Sequence, residues 1–494
     1  MRNRWLSVGA LTVALTGVLS LQAGPVWRDP DPVGQDALVV KTPKARLRVD
    51  ALAENLFRVR VTAGEGWTES ALNRYGVITR EWPTCAAKHV RDGFSTVSAD
   101  VAVDSASGAV TFKSRVSAVD LKIDPALVGV GYKVRFSLSK DERIYGLGDV
   151  SRENIQRRPG RYEIWVKNVN SYIPIPMAVS SRGWGVFMNT TWRNSFDVGK
   201  ADPDALLCEA PESALDFYIF CGRDYRALLD IYTRLTGRPA MLPAFGYGFT
   251  YVCNENIDMF NLVNDALRFR DMNLPVDVLG LEPGWMAKYA KYDFSVYKRW
   301  DRDKFEFGWA PAGGHTFIGA LRRMGKKLSL WLCCDYDLFK YEEECATGRP
   351  FDFGSQVNVR EGTIDSFRDD RIEAGDGRST LGGAAAEKAK KDAEERRAKA
   401  LKGLEGPEPW FAHLRKFVQQ GVVCFKLDGA SQVTEHPRRA WLNGMSDEEA
   451  HNLYPLVYGK QMSQGFAAFA KCRPMVYSAG GYAGVQQYVA TWAG

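Results

Sequence analysis

From about Arg46 to Phe220 the chain alternates apolar and polar residues in short runs broken by Gly, Pro and Asp. Phe57, Val59 and Val61 alternate with Arg58 and Arg60, and Val134, Phe136 and Leu138 alternate with Arg135 and Ser137. A period of two puts successive side chains on opposite faces of a strand, so one face is buried and the other wet. Many such strands with no long helical pattern predict a β-sandwich.

The pattern changes after a short helical stretch near Tyr225 to Leu235. Gly237-Arg238-Pro239 marks a boundary, and beyond it apolar strands alternate with amphipathic helices, which predicts parallel β/α architecture. Phe260, Val263 and Leu267 recur at helical spacing in a helix near Ile257 to Arg270, ended by Asn273 and Pro275. Ser446 with Glu449 three residues on predicts a capping box, followed by an apolar face of Leu453, Leu456 and Val457. The predicted parallel strands are Phe245 to Tyr251, Val276 to Leu281, Leu328 to Cys334, Val422 to Leu427, Pro474 to Tyr477 and Tyr488 to Trp492. They supply most of an eight-stranded TIM barrel, so the expected fold is a β-sandwich followed by an incomplete (β/α)8 barrel. Catalytic groups of such barrels gather at the C-terminal strand ends, where the βα loops converge. Those ends carry Glu282, Asp335 with Asp337, and Asp428. A charged excursion at about 341–407 breaks the rhythm and reads as a solvated helix or a partly disordered insert.

Composition narrows the function classes. The net charge of +6 over 494 residues is small, and its basic residues are interspersed with acidic ones, so no nucleic-acid or membrane-surface footprint is expected. The nine cysteines form no CxxC and the five histidines lie far apart, so neither a metal site nor a disulfide framework is expected, and no cofactor is implied. Arg2 and Arg4 precede an apolar run from Trp5 to about Leu21, then Leu21-Gln22-Ala23. That reads as a secretory leader over 1–23, with an uncleaved anchor as the alternative; Gly9, Thr12, Thr16, Gly17 and Ser20 dilute a stretch already short for spanning. The expected organisation is leader 1–23, sandwich 24–238 and barrel 239–494, in a protein exported to the periplasm or medium without stable membrane association.

The segment Val422-Val423-Cys424-Phe425-Lys426-Leu427-Asp428-Gly429 places an ammonium and a carboxylate two residues apart on one strand face. A carboxylate beside an ammonium stays charged, the state a nucleophile needs, although a salt-bridged strand end would look the same. Other segments change that balance. Tyr145-Gly146-Leu147-Gly148, Ser181-Arg182-Gly183-Trp184-Gly185-Val186-Phe187, Leu235-Thr236-Gly237-Arg238-Pro239, Phe425-Lys426-Leu427-Asp428, His451-Asn452-Leu453-Tyr454, and Tyr482-Ala483-Gly484 followed by Ala490-Thr491-Trp492-Ala493-Gly494 occur in this order. Together they resemble glycoside hydrolase family 31.

The resemblance implies hydrolysis of an α-glycosidic bond with retention of configuration, on an oligosaccharide or glycan. Asp428 matches the family's nucleophile. Lys426 matches a lysine that the α-xylosidase branch places at the sugar. Trp331 and Trp492 match positions lining the sugar subsite, where they stack on a ring or simply pack; Trp285 and Asp335 fall beside them. The family's acid/base follows a Trp-x-Gly sequence directly, and here Trp492-Ala493-Gly494 stands at the end of the sequence. Retaining chemistry uses two carboxyl groups roughly 5 to 5.5 Å apart, so the 494-residue chain alone is expected to lack its acid/base and to be poorly stable and nearly inactive. Two departures bear on the sugar. Gly284 stands where the family's second strand has a second Asp, and Ala479 stands where it has an arginine. Glu282 either substitutes for that Asp or closes an ion pair. Loss of two hydroxyl partners points away from simple α-glucosidase activity and towards α-galactosidase or α-N-acetylgalactosaminidase, with α-glucosidase or α-xylosidase, or a non-catalytic sugar-binding protein, as alternatives.

Overall fold

The computed structural model describes residues 37–83, 85–151, 153–167, 171–252, 257–287, 298–305, 316–332, 338–339, 342, 411, 414–428 and 445–492. The leader-like residues 1–23, Asp335, Asp337, Gly494 and all of the 341–407 excursion except Glu342 lie outside these residues.

The N-terminal part folds as two antiparallel sheets, of seven and nine strands. The strand Leu56–Thr62 lies inside the seven-stranded sheet and Val110–Ser114 inside the nine-stranded one. Phe57 of the first meets Phe112 of the second edge-on at 6.0 Å, and Phe136 likewise contacts Trp184 and Phe217 across the gap, so the sheets face each other over an aromatic core. The predicted β-sandwich is present. Its alternation holds on Gly131–Ser137, where Val134 and Phe136 are buried and Arg135 reaches Asp202 at the surface. On Leu56–Thr62 the face expected to be wet is covered. Arg58 pairs with Asp216 and lies against the Tyr218 ring, while Arg60 pairs with Asp50 and lies against Trp67. The pattern was read correctly as a strand, but it cannot reveal that carboxylates and aromatic rings will bury the arginines.

The helix Tyr225–Leu235, capped by Asp224 accepting from the Ala227 amide, leads to the joint. Gly237 has φ +87°, and a Cβ there would come within 1.9 Å of the Gln487 side chain, so only glycine fits this left-handed turn against the barrel. Six parallel strands follow: β1 (Thr250–Val252), β2 (Val278–Leu281), β3 (Lys327–Leu332), β4 (Cys424–Leu427), β5 (Met475–Ser478) and β6 (Ala490–Thr491), hydrogen-bonded in that order. The first begins later than the sequence suggested, because Pro243 starts a 3-10 turn over Ala244–Tyr247 that takes up Phe245. Between strands run α1 (Met259–Asp271), α2 (Phe317–Arg323), α3 (Arg415–Gln420) and α4 (Tyr454–Ala470). Ser446 accepts from the Glu449 amide as expected of a cap, but its helix is only the single turn Asp447–Ala450, and Leu456 and Val457 belong to α4.

Strand alternation divides the barrel's inside from its outside. Leu279, Leu281, Leu328, Leu330, Phe425 and Leu427 join the main core with the helices, whereas Val278, Cys424 and Met475 form a separate small cluster with Phe245 and Tyr477 packed on it. That second cluster plugs the lumen below the C-terminal strand ends. Burial pushes the Cys424 thiol well above its ordinary range, as suits a packed thiol.

Candidate active site

Above the plug the lumen becomes polar. The register places Trp331, Lys426 and Tyr477 side by side on β3, β4 and β5. Asp428 leaves the end of β4, its amide donating to the Leu332 carbonyl at 2.9 Å. The Trp331 indole Nε1 donates to Asp428 Oδ2 at 2.9 Å, and the Lys426 ammonium stands 3.7 Å from the same oxygen. Lys426 donates to Glu282 Oε1 at 2.9 Å and lies 5.3 Å from the centre of the Trp492 ring. Charged donors of this kind stabilise carboxylates strongly where water is partly excluded. The side chains of Lys426, Glu282 and Asp428 are 15%, 20% and 26% exposed, so the cluster is sheltered yet reachable.

Tyr477 was not singled out in the sequence. Its hydroxyl is 2.9 Å from Ser329 Oγ, and its ring meets Trp492 edge-on at 5.5 Å. Burial raises its phenol above the ordinary value; the Ser329 hydrogen bond works against that, and Cys424, Glu282 and Asp428 add to it. The phenol is therefore a neutral part of the pocket floor. Parity was the available signal, since Tyr477 occupies the lumen position on β5 that Lys426 occupies on β4.

The structure gathers Asp428, Lys426, Glu282, Trp331 and Trp492, five of the residues singled out in the sequence, and separates Trp285 from them. Trp285 is 1% exposed, packs edge-on against Trp300 and Phe417 at 5.1 Å each, and donates to the Trp331 carbonyl at 2.9 Å. It braces Trp331 from the helix side of the sheet. Gly284 and Ala479, where the sequence departs from the family's pattern, are both buried. Gly284 lies in the buried 3-10 turn Pro283–Trp285, and Ala479 is 2% exposed with its amide bonded to the Leu427 carbonyl.

A second polar zone joins the two parts of the chain. Asn452 accepts from the Val166 amide at 2.9 Å and donates to the carbonyls of Ile164 and Thr191. His451 stacks flat on Trp165 at 3.9 Å, and Tyr482 donates to the Thr190 carbonyl at 2.8 Å. The sandwich therefore clasps the segment ahead of α4 and the loop after β5, close to the strand ends that carry the site.

An antiparallel sandwich buttressing a parallel barrel whose strand ends hold a carboxylate defines a barrel protein with its chemistry in the lumen. Comparison with known proteins makes this specific. The family model described as the glycosyl hydrolases family 31 TIM-barrel domain matches residues 239–494, and that for the glycosyl hydrolase 31 N-terminal galactose mutarotase-like domain matches 46–197. The chain belongs to glycoside hydrolase family 31. It is 24% identical over 376 residues to an α-xylosidase of Emericella nidulans, covering 74% of this chain and 43% of that protein. A Flavobacterium johnsoniae family 31 dextranase complexed with isomaltotriose superposes with a TM-score of 0.67 at 19% identity, over 92% of this chain and 54% of that one. A soil-metagenome α-xylosidase complexed with xylose does so with a TM-score of 0.67 at 17% identity, over 93% and 66%. The chain thus spans under half the length of the curated α-xylosidase it matches.

Proposed function

We propose that the whole protein is a retaining α-glycosidase in which Asp428 attacks the anomeric carbon, and that its substrates are α-xylosides first and α-glucosides second. The observation that carries this reading is Asp428 at the C-terminal end of β4, its Oδ2 held by the Trp331 indole at 2.9 Å with Lys426 at 3.7 Å. A fixed donor on one oxygen orients the carboxylate for attack through the other and needs no reorganisation during reaction. The second carboxyl group required for retention is the acid/base expected after Trp492-Ala493-Gly494.

The choice of sugar rests on two supports. Lys426 matches the lysine of the α-xylosidase branch, and an α-xylosidase is among the relatives matched. The lean towards a galacto-configured sugar drew on the missing carboxylate at Gly284 and the missing arginine at Ala479, and the curated relatives matched include α-xylosidases and α-glucosidases instead. The test is hydrolysis by the whole protein of aryl α-xyloside, α-glucoside, α-galactoside and α-N-acetylgalactosaminide. Release in the order xyloside, glucoside, then the others is expected, and exclusive cleavage of a galacto-configured substrate would overturn the ranking. Export follows from the leader-like residues 1–23 as part of the same proposal, and N-terminal sequencing of protein recovered outside the cytoplasm checks it.

A further inference from the structure

Trp285 packs on the helix side of the sheet, yet its indole reaches the strand end that carries the site. The Asp428 amide donates to the Leu332 carbonyl, and backbone groups of successive residues point to opposite edges of a strand, so the Trp331 carbonyl faces β2. β2 runs in register with β3 up to Leu281, opposite Leu330. Continued in that register, the next ladder donor to the Trp331 carbonyl would be the amide of residue 283, which is Pro283 and has no N–H. The 3-10 turn Pro283–Trp285 follows the end of the strand and brings the Trp285 indole back, and its Nε1 donates to the Trp331 carbonyl at 2.9 Å. Trp300 and Phe417, each edge-on at 5.1 Å, hold the indole in that direction, and Trp300 itself donates to Gln420 Oε1 at 2.8 Å. The bond bears on the lumen because the side chain of the same residue, the Trp331 indole, donates to Asp428 Oδ2 at 2.9 Å.

We propose that Trp285 is a positioning residue for the nucleophile: it supplies the donor that Pro283 cannot, fixes the end of β3, and with it fixes the Trp331 indole that orients Asp428. Trp285 acts through Trp331 and not by contact with the sugar. A donor that merely satisfied a buried carbonyl would add to stability and leave the rate of the folded enzyme alone. A donor that sets the angle of Trp331 moves the rate as well, because attack on an anomeric carbon depends steeply on how the reacting group is placed. The proposal deepens the reading above and rests on Asp428 being the nucleophile.

The test isolates the attack step with α-xylosyl fluoride. The Asp428 carboxylate forms a bond to C1 while the C1–F bond breaks and fluoride leaves with the electron pair, so little help from an acid is needed. In the whole protein, Trp285→Phe removes the donor and keeps an aromatic ring. Benzothienylalanine placed at 285 removes the donor and keeps the shape of the indole, so it reads the same quantity should Trp285→Phe fail to fold. For both, kcat per folded molecule is expected to fall roughly 5-fold with KM nearly unchanged, and in a Trp331→Phe background either change is expected to cost less than about 2-fold further. A crystal structure of either variant is expected to show Trp331 Nε1 more than about 3.5 Å from Asp428 Oδ2. A wild-type kcat at a lowered melting temperature, an equal loss with and without the Trp331 indole, or an unmoved indole would each overturn the proposal. Absence of fluoride release from the wild type, or an Asp428→Ala variant as fast as wild type, would instead break the nucleophile assignment beneath it.

Discussion

Two buried polar clusters in this molecule have similar ingredients and different behaviour. At the seam between sandwich and barrel, Arg58 grips Asp216 through two bonds of 2.9 and 2.5 Å, Asn189 donates to Asp216 and to Asn73 at 2.7 Å each, and Arg74 pairs with Glu449. In the lumen, one ammonium serves two carboxylates at unequal distances. The seam closes its charges; the Asp216 side chain is 9% exposed against 26% for Asp428. A buried ion pair is therefore poor evidence of a site by itself. What separates the lumen is a carboxylate that solvent, and hence substrate, can reach.

Four variants would break or sharpen that contrast. Asp428→Ala is expected to reduce α-xylosyl fluoride turnover by the whole protein at least about 1,000-fold with little change in melting temperature, because it removes the reacting group and not a structural pair. Asn452→Ala is expected to do the reverse. It strands three seam groups, the Val166 amide and the carbonyls of Ile164 and Thr191, and should cost about 3 kcal/mol in denaturant titration while any remaining folded protein keeps its rate. Trp331→Phe removes the hydrogen bond to Asp428 but keeps most of the packing, and a loss of roughly 10- to 100-fold in kcat/KM is expected. The gentlest probe is pH. Burial, with Asp216 and Glu449 nearby, pushes the Glu212 carboxyl from its ordinary 4.5 up to about 8, against the opposing Thr190 hydrogen bond and Arg74. The folded state then binds a proton that the unfolded state has released, so this stabilising contribution is whole below about 4.5 and is lost as pH rises through about 8. Glu212→Gln is expected to flatten that part of the stability profile, measured by thermal melts across the range, and an unchanged slope would remove Glu212 from the explanation.

The sequence disclosed the lumen better than the seam, for physical reasons. Strand parity and the position at a strand end are local, so Lys426 and Asp428 could be placed on one face from the residues alone, and the resemblance brought in Trp331 and Trp492. Trp285 was misplaced because a tryptophan beside a strand end looks the same in sequence whether it faces the lumen or the helices. The pairing of Glu282 with Lys426 spans two strands 144 residues apart in sequence, and no local pattern records it. The same holds for Arg58 and Arg60, whose alternation announced a strand and concealed that their partners would bury them. Gly284 and Ala479 stand out in the sequence only as departures from the family's pattern, and that both are buried is visible only in the fold.

The three hydrogen bonds of Asn452 also bear on how the chain assembles. They are made to the backbone of Ile164, Val166 and Thr191, which leave the ribosome 261 to 288 residues before Asn452 does. The sandwich can be finished while the second half of the barrel is still unsynthesised, and it then offers a ready edge of amides and carbonyls to the segment that begins α4. The N-terminal domain thereby serves as a jig, setting the angle at which the late helix meets the strands, and a barrel expressed without it would have to find that angle unaided.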